Sequence, residues 1–332
     1  MIIKEGKMLR LTPFIAAFVV TLAPVVTKAA VESDLPANGS LDRAAVAHLI
    51  QGITTELRAG YVLQTEGEKA AEVLEGALAA KAYDKIADTD AFASKLTTQL
   101  QDLTGDSHVR VIAGSPFAQP TPSSVPPSPD LLASRLDTKT GYIKLKRFPP
   151  PEDFKPAIDK AMHDLVDTSA MIIDIRGNGG GHPASVAYLA SFFLPAGMPV
   201  HLNDLIWRNR GTSTFRTEQF WSSATPVTYI DKPVYVLVSS KTYSAAEEFA
   251  YDMQVLRRAT IVGEGTRGGA NPGGLNDLGF GVFVVIPTGK ARNPMTKTNW
   301  GGTGVQPDIR VAADLAQETA VALADEHLPR QR

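Results

Sequence analysis

The sequence predicts an α/β protein in which a small helical bundle precedes a layered core of sheet and helices. Residues 41–103 contain no proline, and apolar residues recur there at helical spacing, as at Ala45, His48, Leu49, Ile53 and Leu57. From residue 141 onward, short apolar runs of strand character alternate with helix-like segments, a pattern that implies a layered structure with helices covering a sheet. Between the two, residues 115–129 hold six prolines with Ser and Thr among them. That stretch is too stiff and polar for a packed element and reads as a linker or an ordered surface loop.

Taken in order, the chain opens with Lys4, Lys7 and Arg10, then runs uncharged from residue 11 to 26 before Thr27 and Ala29, small residues suited to a cleavage site. This predicts a secretory signal peptide over 1–29, hence an exported, periplasmic or secreted protein. The run is short and broken by Pro13 and Pro24, so no stable membrane anchor is expected. A helical N-terminal domain follows over 30–113, with Ser40 and Asp88 or Asp90 as helix caps and His48 on the apolar, core-facing side. After the Pro-rich segment at 114–130, the core domain spans 131–332. Its strands are expected at 141–145, 170–175, 234–238, 260–262 and 281–286, and its helices at 154–165, 185–193 and 245–256. Residues 214–228, polar but carrying Phe215, Phe220 and Trp221, read as a lid or an ordinary surface loop.

Composition narrows the chemistry. In 332 residues, 44% hydrophobic, 33 basic side chains against 35 acidic ones give a net charge of -2, too little positive field to hold a nucleic acid. The chain has no cysteine, which removes disulfides, thiolate metal sites and a thiol nucleophile. No two histidines have a metal-binding spacing, so neither a metal nor a cofactor is expected. Ser, His, Lys and carboxylates remain.

Three segments combine turn geometry with reactive groups. Residues 174–181, Asp-Ile-Arg-Gly-Asn-Gly-Gly-Gly, leave a buried strand and enter a helix near Pro183, where exposed N–H groups can hold an anion or simply make a tight turn. Residues 239–247 do the same after the next buried strand. Ser244 there stands at the start of a helix, either as a nucleophile elbow or, with Glu247 three residues on, as a capping box; this segment alone favours the cap. Residues 104–109, Thr-Gly-Asp-Ser-His-Val, end the helical part and carry His108, a general-base candidate in a polar setting. His163, His201 and His327 read as surface positions, and Trp207, Trp221 and Trp300 as lying in the core region.

Together, Leu-Thr-Gly-Asp-Ser-His at 103–108, Ile-Asp-Ile-Arg-Gly-Asn-Gly-Gly-Gly at 173–181, Tyr-Ser-Ala-Ala-Glu at 243–247 and Gly-Val-Gln-Pro-Asp-Ile at 304–309 resemble the tail-specific, or carboxyl-terminal processing, serine peptidases. Within them the chain is most similar to the branch of the interphotoreceptor retinoid-binding protein modules and the tricorn protease core. The resemblance implies a crotonase-like (ClpP/crotonase) layered core; residues 109–140 leave no room for a PDZ domain. It implies Ser244 as nucleophile, with the N–H groups of Ala245 and Gly180 as oxyanion hole. Processing peptidases activate that serine with a lysine that falls here at Gly269, so a Ser/Lys dyad is excluded. Tricorn-like members use a Ser-His pair, which Ser107 and His108 match. The same branch carries an orienting glutamate after an Asn-Trp pair, and here Asn299-Trp300 is followed by Gly301. Asp106, Glu247 and Glu264 are the candidate substitutes.

The function these residues imply is an exported serine endopeptidase acting on peptide or protein substrates through an acyl-enzyme on Ser244, with His108 as base. The alternative is a binding module for retinoid, fatty acid or peptide on the same fold, to which Gly301 points. An acyl-CoA enzyme of crotonase type is disfavoured by the export signal.

Overall fold

The computed structural model describes residues 40–114 and 130–327. The expected signal peptide at 1–29 and the Pro-rich stretch at 115–129 lie outside the described residues.

Three helices come first: α1 (Arg43–Gly60), α2 (Gln64–Ala79) and α3 (Thr89–Thr104). Asp42 and Asp88 cap α1 and α3, their carboxylates accepting the N–H groups of Ala45 and Ala91. The expected cap Ser40 is therefore displaced by Asp42; Ser40 instead bridges to Asp88. His48 is also corrected. The stripe of α1 that is buried runs through Ala45, Leu49, Ile53 and Leu57, and His48 faces away from it, exposed and edge-on to Phe280.

The bundle does not close on itself. Its apolar stripe packs on β1 (Arg110–Ala113), and Leu278, Val282, Val284 and Ile286 belong to the same cluster. Fully buried side chains such as Leu49, Ile53 and Leu96 stabilise this contact by about 1.5–3 kcal/mol each.

The core continues in chain order with β2 (Leu131–Arg135), β3 (Thr140–Leu145), α4 (Pro151–Leu165), β4 (Ala170–Asp174), α5 (Pro183–Ser191), β5 (His201–Arg208), β6 (Phe215–Trp221), β7 (Val234–Val238), α6 (Ala245–Val255) and β8 (Thr260–Gly263), of which β2, β3, β4, β7 and β8 enter the main sheet. It is completed after β9 (Gly273–Asp277), β10 (Val282–Pro287) and β11 (Gly289–Arg292) by β12 (Ile309–Arg310), and α7 (Ala316–His327) ends the described chain. Six strands lie in the order β12-β8-β7-β4-β3-β2, parallel except for β2. Strand pleating sends Met171 and Ile173 to the face under α4, α5 and α6, and Ala170 and Ile172 to the face under the alanines of α7. Buried on both faces, β4 and β7 are uniformly apolar up to Asp174, which is why they stand out in the sequence.

Two smaller sheets were not legible. β10, expected as a strand of the main layer, pairs with β1 and β9 instead. β5, β6 and β11 form another antiparallel sheet. Residues 215–221 are thus an edge strand rather than a loop. Trp221 is 45% exposed on it, unlike buried Trp300, and stacks on His201, itself half-buried and bonded to Asp204.

Candidate active site

Parallel neighbours β4 and β7 deliver their C-terminal loops to the same end of the sheet, the end at which open α/β sheets bind ligands. The two loops are laced together. Ser239 Oγ donates to Arg176 O at 2.5 Å, Thr242 Oγ1 to Ile175 O at 2.9 Å, and Tyr243 N–H to Asn178 O at 3.0 Å. Asp174, buried, accepts from Tyr142 Oη and twice from the Arg176 guanidinium, so the Asp-x-Arg of the motif fastens its own turn.

Ser244 sits between β7 and α6 with φ 56° and ψ -124°, a region a non-glycine residue enters only when its surroundings force it. The forcing group is Glu247. Its carboxylate is fully buried and accepts Ser244 N–H at 2.8 Å, Gly269 N–H at 2.8 Å, and Gly268 N–H and Thr266 Oγ1 at 2.6 Å each. Burial pushes this carboxyl up, and the four donors oppose that rise. The Ser-x-x-Glu spacing was visible as a capping box, but the other three donors come from a loop about twenty residues on.

His108 arrives from the helical side, just after α3. Its Nε2 lies 3.3 Å from Ser244 Oγ. One face of its ring stacks on Tyr243, with centroids 4.5 Å apart and planes 29° apart. The Arg267 guanidinium lies over Tyr243 in turn, 4.8 Å from the ring centre. The structure therefore brings Ser244 and His108 together across two hydrophobic clusters. Ser107 is not brought to either; its hydroxyl bonds Tyr243 Oη at 3.0 Å.

Ala245 N–H opens α6 beside Ser244 and, among the described residues, meets no backbone acceptor. Gly180 meets the elbow closely: a Cβ there would stand 2.8 Å from Ser244 Cβ, so only glycine fits, at φ 102°. Its N–H, however, donates to Asn178 Oδ1 at 2.8 Å. Gly269 is held just as tightly. A Cβ at 269 would come within 2.6 Å of His108 Cε1 and closer still to Tyr243, so these two rings fill the space of any longer side chain. Trp300, through Nε1–H to Gly269 O, fastens the same segment from behind. Sequence reasoning missed Tyr243 and the packing role of Gly269, for which no local pattern exists.

Burial drives His108 down to about 4, with Asp106 opposing and the positive charges of Arg110 and Arg267 assisting. The ring is thus neutral at pH 7 and able to take a proton. A histidine whose folded pKa is depressed contributes stability that is complete above its unfolded pKa of about 6.5 and is lost as pH falls towards the folded one. Wild type is therefore expected to lose thermal stability between about pH 6.5 and about pH 4, and His108→Gln to lose less across that window, as melting curves would register.

The model of peptidase family S41 matches residues 139–311, and that of the N-terminal domain of such peptidases in eukaryotic IRBP matches residues 41–140. The carboxyl-terminal-processing protease of Synechocystis sp. is 31% identical over 163 residues, 48% of this chain and 35% of its own. Carboxyl-terminal-processing peptidase 2, chloroplastic, of Arabidopsis thaliana is 29% identical over 173 residues, 51% of this chain and 31% of its own. The chain thus spans about a third of the length of these curated relatives. Among solved structures, one from Parabacteroides merdae, named as a candidate peptidase, superposes with a TM-score of 0.64 at 18% identity, covering 85% of this chain and 99% of that one. A lipoprotein from Streptococcus agalactiae gives 0.53 at 14% identity, with 85% and 97% coverage. These two likenesses establish the fold.

Proposed function

The chain belongs to peptidase family S41, and from that premise we propose that it is an exported serine endopeptidase acting through an acyl-enzyme on Ser244. The observation that carries the reading is the 3.3 Å approach of His108 Nε2 to Ser244 Oγ on a strained strand-to-helix elbow. Ser244 Oγ attacks the peptide carbonyl as His108 Nε2 takes its proton. The oxyanion is held by Ala245 N–H and by Gly180 N–H, which exchanges Asn178 Oδ1 for it. His108 returns the proton to the leaving amine, and water, activated by the same nitrogen, releases the acyl group.

The curated relatives named above are processing proteases, which favours hydrolysis over the alternative of a hydrophobic-ligand module. Peptide or protein substrates follow from the same reading. Export rests on the leader at 1–29; no helix among the described residues is long and apolar enough to cross a membrane. The parallel crossovers of the main sheet support a crotonase-like core.

A fluorophosphonate probe tests the reading. Mass spectrometry is expected to find the adduct on Ser244 in wild type, none in Ser244→Ala, and labelling slower by about 10³-fold or more in His108→Ala. Wild type that stays unlabelled while a control peptidase reacts would sink it.

A further inference from the structure

Neutral imidazole can serve as a base at Nε2 only while its proton sits on Nδ1. In His108 that Nδ1 is buried and has no hydrogen-bond partner. An N–H left so is penalised, which drives the ring towards the tautomer that donates from Nε2 to Ser244 Oγ and cannot act as base. An acceptor for Nδ1 is what the site lacks.

The carboxylates the sequence offered can now be sorted. Glu247 is consumed by the four donors of the elbow, and Glu264 accepts the N–H groups of Ser240 and Ala313. Among the described residues, Asp106 is the one acid whose oxygen comes within 4 Å of the His108 ring, Oδ1 lying 3.8 Å from Nδ1. It is built in firmly. Asp106 is 5% exposed; Oδ2 accepts Tyr61 Oη–H at 3.2 Å and Asn271 Nδ2–H at 2.9 Å, and Oδ1 accepts His108 N–H at 2.9 Å. The gap to Nδ1 is about 1 Å beyond a hydrogen bond. On the other side of the ring, Nε2 is also slightly long at 3.3 Å. Tyr243 covers one face of the imidazole, and both ring nitrogens stand long of their partners, so closing the gap means Asp106 and Ser244 both drawing in on the ring and not the ring moving from one towards the other.

We propose that Asp106 is the positioning acid of this site, accepting His108 Nδ1–H when substrate closes the gap and so holding the base in its working tautomer. The inference rests on the acyl-enzyme reading and supplies the group absent at Gly301. Catalytic hydrogen bonds that are long in the free enzyme and shorten in the complex are common.

Asp106→Asn is the test, because asparagine keeps the size and removes the charge; its oxygen stays with the two donors Tyr61 and Asn271, so its NH2 faces His108 and offers Nδ1–H no acceptor. The charged groups facing His108 are Asp106 itself, Arg110 and Arg267. With Asp106 gone, only the two cations remain, and the acid limb of the labelling rate should move to lower pH. On a peptide the protein cleaves, kcat should fall about 10²- to 10⁴-fold with KM little changed. Nitrogen NMR of His108 in the Ser244→Ala protein gives a readout without activity. It should show the Nδ1–H tautomer once a peptide aldehyde or product peptide is bound, and a switch to Nε2–H when Asp106→Asn is added. Turnover within threefold of wild type in Asp106→Asn, or a tautomer indifferent to Asp106, overturns the proposal. A wild type that never labels yet shows the Asp106-dependent tautomer would fault the peptidase reading instead.

Discussion

Glu247→Ala is expected to destroy the site while leaving Ser244 and His108 in the chain. The substitution leaves Ser244 N–H, Gly268 N–H, Gly269 N–H and Thr266 Oγ1 without their common acceptor in a place closed to water. Removing one member of such a buried charged network costs about 3–5 kcal/mol, or a melting temperature lower by roughly 10 °C. The elbow loses most. Nothing else recorded holds Ser244 N–H, so the strained φ relaxes, Oγ leaves its line to Nε2, and a displacement near 1 Å suffices for about 10²-fold slower labelling. Glu247→Gln should recover only part of either loss, since its amide NH2 confronts two donors. Calorimetry and fluorophosphonate kinetics on the three proteins check both numbers; wild-type labelling in Glu247→Ala would show that the elbow holds itself.

Gly269→Ala is the second large effect. One methyl group enters the wall formed by His108 Cε1 and the edge of Tyr243. The two ring-bearing segments are tied to each other through the Ser107–Tyr243 and His108–Ser244 contacts, so the methyl enters only by displacing one of the rings and straining those contacts. Overpacking of this kind costs about 1–3 kcal/mol in stability, and the displaced base should cost about 10²-fold in labelling rate. Gly269→Lys, which restores the residue of the lysine-dependent relatives, is expected to be no more active. In this chain the space a lysine would need is already filled by Tyr243 and His108. Labelling of Gly269→Lys that survives His108→Ala would contradict that account.

What the sequence made legible follows from how local each signal is. β4, β7 and α6 announce themselves because strands buried on both faces are unbroken apolar runs and the helix carries its own cap. Ser244, His108 and Gly180 are legible through short motifs at turns. β10, an apolar run, is legible as a strand, but its partner β1 lies far back in the chain, while β9, β5, β6 and β11 are of mixed polarity and β11 pairs with β5 about eighty residues away. His48 was misread for a related reason: spacing alone cannot tell the centre of an apolar stripe from its margin. The missed site residues share this long-range character. Tyr243 matters through a ring 135 positions earlier, and Gly269 through the space those two rings occupy.

The 136 positions between His108 and Ser244 also order events in time. A chain made from its N-terminus presents His108 first, Ser244 long after, and the donors that meet Glu247 beneath the elbow, Thr266 to Gly269, later still. Trp300, which fastens that last segment, comes after all of them. On the peptidase reading, a growing chain carries a histidine with nothing to activate and then a serine in a relaxed, unreactive turn. Hydrolytic power would begin only when the final third of the chain has emerged and docked on the first, so the polypeptide is harmless to itself and to its neighbours for most of its own manufacture.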